Sequence, residues 1–164
     1  MSELRPMEIP AEDQCADILQ YGWEGSAPPP CSQGYINPLI LSLLQQESSC
    51  RILGLGFGNA TLCQYLAFHG FDLVGVEPDA QGVSIAREQT PSATFYQLGV
   101  EGDPSVITQA EGLFDAVVST EVIEYLYSPL LLPRFALSCL KLGGLLVVTT
   151  PYHGYLKNLF LSLS

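Results

Sequence analysis

The sequence predicts an α/β domain organised on a doubly wound parallel sheet. Short apolar runs alternate with helical patterns along most of the chain, which is the signature of βαβ crossovers. The run at 71–77 is apolar almost throughout, as in a strand covered on both faces. The distinctive glycines and acids fall where such runs end, the side of an open sheet on which ligands bind.

Taken in order, residues 1–34 carry a Pro28-Pro29-Pro30 run and the turn formers Gly25, Ser26 and Gly34. They read as a short helix over 11–20 followed by an irregular linker, and residues 35–164 as one domain. Asn37 is a suitable N-cap with Pro38 at the first helical position, giving a helix to about 47. Residues 51–55 form the first strand. A helix over 61–69 follows, stopped by Gly70, then a strand over 71–77. Asp79 caps a helix reaching about 89, and a third strand covers 93–98. Asp103-Pro104 opens a helix to about 110, before a fourth strand over 114–119. A helix over 129–141, a stop at Gly143-Gly144 and a fifth strand over 145–150 complete the pattern.

At 164 residues, 48% hydrophobic and 14% charged, the chain has the size of one domain with a sizeable core. Six Lys and Arg stand against 17 Asp and Glu, a formal charge of −11. Such a balance leaves no basic patch, so nucleic acid is not an expected partner. Five scattered cysteines without metal-ligand spacing suggest a reducing cytoplasm and no metal site. The acidic N-terminus lacks the layout of a secretory signal, and no apolar run approaches the roughly 18 residues of a membrane helix.

The chemistry concentrates at residues 51–60, RILGLGFGNA, where an apolar strand runs into Gly54, Gly56 and Gly58 just before a helix. Backbone N–H groups face outward at such a turn and a ligand can approach the main chain. Glu77 follows Gly54 at the roughly 20-residue interval at which an acid reaches ribose hydroxyls. The dinucleotide fingerprint G-x-G-x-x-G/A fits in neither register, because its sixth position is Asn59 or Thr61. An NAD-binding dehydrogenase is therefore disfavoured, and a nucleoside ligand lacking a pyrophosphate is preferred.

With ILGLGFGNA, VGVEPD, FDAVVSTEVIEYL and LKLGGLLVVTTP in view, the chain resembles class I S-adenosylmethionine-dependent methyltransferases. The resemblance is to the small-molecule branch that includes the ubiquinone-biosynthesis O-methyltransferases, and it covers residues 52–150. It implies a Rossmann-like sheet of five parallel strands in the order 3-2-1-4-5, and S-adenosyl-L-methionine as cofactor. It also implies a small-molecule methyl acceptor with an O, N or C nucleophile. Gly54, Gly56, Gly58 and Asn59 would form the turn at the methionine end, and Glu77 with Pro78 would meet the ribose. Val100 and Glu101 would flank the adenine, while Thr120 and Glu121 would line the floor beside the sulfonium. Val100 can equally be core, and Thr120 can bond its own backbone.

Departures from the family pattern are informative. Gly54 stands where the family has an acid, Phe57 where it has a small residue, Ala60 where it has the last glycine and Tyr125 where it has a histidine. Phe57 either crowds the site or fills space against the helix. The candidate catalytic residues are His153, Glu121 and Tyr125, of which His153 is the titratable base best placed by sequence. The family continues past the fifth strand to a helix and two more strands. Leu156, Leu159, Phe160 and Leu163 have the spacing of an amphipathic helix that begins and is cut off. The fifth strand is then an exposed edge, giving two expectations: a truncated gene product, or a homodimer formed through that strand. The departures also keep open a degenerate methyltransferase-fold interaction module with weak or no catalysis.

Overall fold

The computed structural model describes residues 33–151. The expected helix over 11–20, the amphipathic run at 156–163 and His153 lie outside the described residues. Within them the chain alternates as the apolar pattern dictates. The order is α1 (Gln33–Gln46), β1 (Arg51–Leu55), α2 (Thr61–Phe68), β2 (Asp72–Glu77), α3 (Ala80–Gln89) and β3 (Thr94–Gln97). It continues with α4 (Ser105–Glu111), β4 (Phe114–Thr120), α5 (Leu131–Cys139) and β5 (Leu140–Thr149). The strands form one parallel sheet in the order β3-β2-β1-β4-β5.

Period-two alternation along the strands divides the core between the two faces. Ile52, Leu73, Phe95, Ala116 and Val118 pack with Ile40 and Leu44 of α1, Cys63 and Leu66 of α2, and Val83 and Ala86 of α3. Leu53, Leu55, Val74, Val76 and Val117 turn the other way, towards Ile107 of α4 and Leu132, Phe135 and Ala136 of α5. The chain leaves β1 towards β2 and β3, then returns to place β4 on the other flank of β1. The strand order reverses between β1 and β4, whose carboxyl ends are where open sheets of this kind take ligands.

Local signals set most boundaries. Asp79 Oδ1 accepts the Gln81 N–H at 2.8 Å, the expected cap of α3. Gly70, at φ 87°, ends α2 in a Schellman motif, with Phe71 N–H donating to the Leu66 carbonyl and Gly70 N–H to Ala67. Helix α1 closes in the same way at Ser48, a non-glycine residue at φ 52°.

Three elements differ from expectation by more than one residue. Asn37 is not an N-cap: α1 begins at Gln33, so Asn37 is a buried residue inside the helix and Pro38 lies in its second turn. Pro38 removes only the N–H that would have reached back towards Gly34, and the helix continues on both sides of it. Helix α5 starts at Leu131 and ends at Cys139, inside its expected span. Strand β5 then begins at Leu140, five residues earlier than expected. Leu140 pairs with Phe114 while Leu145 pairs with Ala116, so residues 141–144 form a bulge within the strand. Gly143-Gly144 belongs to that bulge and is not a stop before the strand. Gly143 supplies φ 78°. A Cβ on Gly144 would lie 3.0 Å from the Asp115 and Lys141 carbonyl oxygens, so close approach to β4 requires glycine there.

Candidate functional site

The topology brings the sequence-predicted residues to one end of the sheet. Gly56, Gly58 and Asn59 follow β1, Glu77 ends β2 and Pro78 follows it, Val100 and Glu101 lie just beyond β3, and Thr120 and Glu121 stand at the end of β4. Because β3, β2, β1 and β4 are consecutive neighbours, these four tips form one continuous rim. Tyr125 lies in a short 3-10 turn, Ile123–Tyr125, and is 62% exposed.

The glycine turn is held by the protein itself. Gly56, at φ 66°, donates its N–H to the Val76 carbonyl at 2.8 Å, and Gly58 at φ 55° donates to Glu77 Oε2 at 2.9 Å. The lack of a side chain at Gly56 has a packing cause. A Cβ there would lie 2.6 Å from Cγ2 of Val122, the residue that follows the β4 tip by two positions. Ala60, where the resemblance calls for glycine, adopts φ 61° and is fully buried, so its methyl joins the core in a left-handed conformation. Asn59 is used locally: its Oδ1 accepts from the Thr61 hydroxyl at 2.8 Å and the Thr61 N–H at 3.4 Å at the start of α2.

Phe57 fills space on one face of the sheet and also lines the small cavity beside Gly54. Its ring lies over Gly75 of β2 and against Phe95 of β3, with centroids 4.8 Å apart, on the face covered by α1, α2 and α3. Gly54 faces Cys63, whose Sγ would be 3.5 Å from a Cβ at position 54. A cavity of about 20 Å³ lies there, lined by Gly54, Gly56, Phe57, Cys63, Val118 and Thr120 among others. Burial pushes the Cys63 thiol up to about 12, so it is an inert apolar lining group.

Glu77 is the acid most enclosed at this rim, only 5% exposed. Its second oxygen, Oε1, accepts the Asp79 N–H at 3.2 Å. Burial raises its pKa above the ordinary glutamate value, the Gly58 and Asp79 N–H groups oppose that rise, and the neighbouring Asp79 charge adds to it. Asp79 is itself 8% exposed, and its Oδ2 is a buried acceptor without a hydrogen-bond partner. Its cap role was legible in the Glu-Pro-Asp sequence; its unsatisfied second oxygen depends on the folded loop and was not.

The remaining candidates divide. Val100 is buried in the core cluster of β1, β2 and α4, which fits packing. Glu101 folds back towards Gly99, where a Cβ would be 2.6 Å from its Oε2. Glu121 has φ 55° and donates its N–H to the Thr149 carbonyl at 3.0 Å, which continues the β4–β5 pairing past the strand end. The described cations lie on other parts of the fold: Arg51 starts β1, Arg87 is in α3, Arg134 is in α5 and Lys141 bonds Asp115. Among the described residues there is no cluster of His, Cys, Asp and Glu able to hold a metal, and no helix long and apolar enough to cross a membrane.

Similarity to known proteins agrees with this architecture. The ubiquinone biosynthesis O-methyltransferase of Cereibacter sphaeroides is 29% identical over 131 residues, a match covering 74% of this chain and 52% of the relative. That of Azorhizobium caulinodans is 30% identical over 107 residues, covering 65% and 42%. The chain spans about half the length of the curated relatives it matches. CalS10, an amino pentose methyltransferase from Micromonospora echinaspora solved with SAM bound, superposes with a TM-score of 0.63 at 17% identity. It covers 71% of this chain and 50% of its own. The plantazolicin methyltransferase BpumL, solved with SAH and a pentazolic desmethylPZN analog, gives 0.64 at 13% identity over 82% of this chain and 57% of its own. At these identities the structural likeness establishes the fold. A family model described as a methyltransferase domain matches residues 32–163, and the chain belongs to that family.

Proposed function

We propose that this chain carries the S-adenosyl-L-methionine site of a methyltransferase acting on a small molecule, with transfer to an O, N or C nucleophile. One observation carries the reading: Glu77, buried at the tip of β2, is bonded to the N–H of Gly58 in the turn at the tip of β1. A carboxylate at this position, beside the glycine turn, is what supports a role in accepting from ribose hydroxyls.

The residues fit such a cofactor. Asp79 Oδ2 is a buried acceptor still lacking a donor, next to Glu77. The rim carries Glu77, Asp79, Glu101 and Glu121, and the described Lys and Arg residues belong to other parts of the fold. A cationic sulfonium with an ammonium group suits that charge, whereas a pyrophosphate does not. Bound there, the cofactor supplies a methyl group already activated on sulfur.

The chain's own contribution is positional. Glu77 would accept from the ribose, the turn at Gly56 and Gly58 would lie beside the methionine end with its N–H groups held by Val76 and Glu77, and Thr120 beside the cavity would border the sulfonium. Direct displacement needs alignment above all, and a base only for a poor nucleophile. Glu121, Tyr125 and His153 stand as candidates for that base, with His153 outside the described residues. The O-methyltransferase relatives favour an oxygen among these nucleophiles, and the scattered cysteines favour the cytoplasm. Pairing of two copies through β5, an edge of the described sheet, is the homodimer this reading allows.

Gly54 favours a second reading, a methyltransferase-fold interaction module with weak or no catalysis, because no carboxylate leaves β1 at that position. Titration calorimetry with S-adenosylhomocysteine separates the two. The enzyme reading expects saturable heat and thermal stabilisation of about 2.7 kcal/mol at 100-fold excess over Kd. Absence of both at millimolar ligand favours the interaction module.

A further inference from the structure

We infer that Glu77 is the positioning residue of the glycine turn as well as its ribose partner, so that one carboxylate both shapes the site and binds in it. The inference rests on the cofactor reading above for its ligand, and on geometry for the positioning role.

Glu77 Oε2 takes the Gly58 N–H at 2.9 Å and Oε1 takes the Asp79 N–H at 3.2 Å. Gly58 lies between β1 and α2, and Asp79 between β2 and α3. A single buried side chain thus ties together the two loops between which the nucleoside would sit. Gly58 holds φ 55°, a conformation that its sequence permits but does not enforce. Charge-assisted bonds from backbone N–H to carboxylate are among the stronger ones, and a buried N–H left without a partner is costly. The turn is therefore directed to one conformation by Glu77.

The neighbouring positions offer no substitute. Gly54 has no side chain with which to accept the Gly58 N–H, and its Cβ direction leads to the Cys63 thiol and the Val74 carbonyl. Asn59 spends its Oδ1 on Thr61. Asp79 Oδ1 is committed to the cap of α3.

Two roles for Glu77 make different predictions for a ligand that lacks ribose hydroxyls. The probes are S-adenosylhomocysteine and its analogue without the 2′ and 3′ hydroxyls, titrated into wild type, Glu77→Ala and Glu77→Gln. A residue that only binds ribose makes no difference to the analogue. A positioning residue does: Glu77→Ala is expected to weaken the analogue at least about tenfold. Glu77→Gln recovers part of that loss, since its amide oxygen can still accept from Gly58. Backbone amide exchange in the ligand-free protein supplies a readout independent of any ligand. Exchange at Gly58 is expected to rise at least about tenfold in Glu77→Ala and less in Glu77→Gln.

Equal analogue affinity in wild type and Glu77→Ala, with unchanged exchange at Gly58, would overturn the inference. If wild type binds neither probe, the cofactor reading fails while the exchange measurement still decides the positioning role. Should Glu77→Ala fail to fold, the Glu77→Gln exchange at Gly58 decides it: any increase supports positioning and none refutes it.

Discussion

The ring of Phe57 occupies the space that a side chain on Gly75 would need, for a Cβ at position 75 would lie 2.6 Å from Phe57 Cδ1 and equally close to Phe95 Cδ1. The largest residue of the glycine turn is thereby built into the sheet face. Phe57→Ala is expected to cost about 2–4 kcal/mol and Gly75→Ala about 1–3 kcal/mol in urea unfolding. The double variant should lose less than the sum, because removing the Phe57 ring relieves one of the two clashes of the new methyl and leaves that with Phe95. Strict additivity would show that the two positions do not share the space.

Gly54 has room for a Cβ, with Cys63 Sγ at 3.5 Å as its nearest neighbour. Gly54→Asp would direct a carboxylate towards the small cavity that Thr120 also lines. The expected result is S-adenosylhomocysteine affinity at least about tenfold tighter, from one charge-assisted contact. Burying that charge in the ligand-free protein should lower stability by about 1–3 kcal/mol. Calorimetric titration and urea melts of the same variant check both signs, and weaker binding would count against a methionine subsite at the cavity.

Ser48 closes α1 in the left-handed conformation, at φ 52° and exposed. Ser48→Gly removes that penalty without touching a buried contact and is expected to stabilise by about 0.5–1 kcal/mol. A drop in thermal midpoint would mean that the Ser48 side chain makes a stabilising contact of its own.

Asp115 accepts from Lys141 Nζ at 2.7 Å and from the N–H groups of Arg51 at 2.8 Å and Cys50 at 3.1 Å. The Lys141 bond first, and then the Arg51 N–H, lower its pKa from 3.8 to about 2. The folded value lies below the unfolded one, so its stabilisation is complete above about pH 4 and is lost as pH falls towards 2. Glu77 has the opposite sign: its raised folded pKa means that stability is gained as it protonates on acidification. Asp115→Asn should therefore be less stable near neutrality and show a shallower fall in unfolding free energy between pH 4 and 2. An unchanged slope would place the acid sensitivity in other carboxylates.

Much of this was readable along the chain because the signals were local. The strand-turn-helix at 51–60, the stop at Gly70 and the cap at Asp79 each depend on a few adjacent residues, and the alternation of elements fixed which tips would meet. What escaped depends on partners distant in sequence. Gly56 looked like a ligand-approach glycine, yet its Cβ direction is filled by Val122. Position 57 left two outcomes open until Gly75 and Phe95 came into contact with it. The bulge at 141–144 is set by pairing of Leu140 with Phe114, which outweighed the turn chemistry of Gly143-Gly144. At α1 an Asn-Pro pair has the composition of a helix start, but the helix extends one turn further towards the N-terminus, with Asn37 packed inside.

Amide chemical-shift mapping with S-adenosylhomocysteine, the demethylated form of the cofactor, reports whether the joined tips of β1, β2, β3 and β4 bind this nucleoside. Saturable shifts are expected at Gly56, Gly58, Asp79, Glu101 and Glu121, with Ser48 and Gly144 at the opposite end of the sheet unaffected. Shifts confined to that opposite end, or none at millimolar ligand, would contradict binding at these tips.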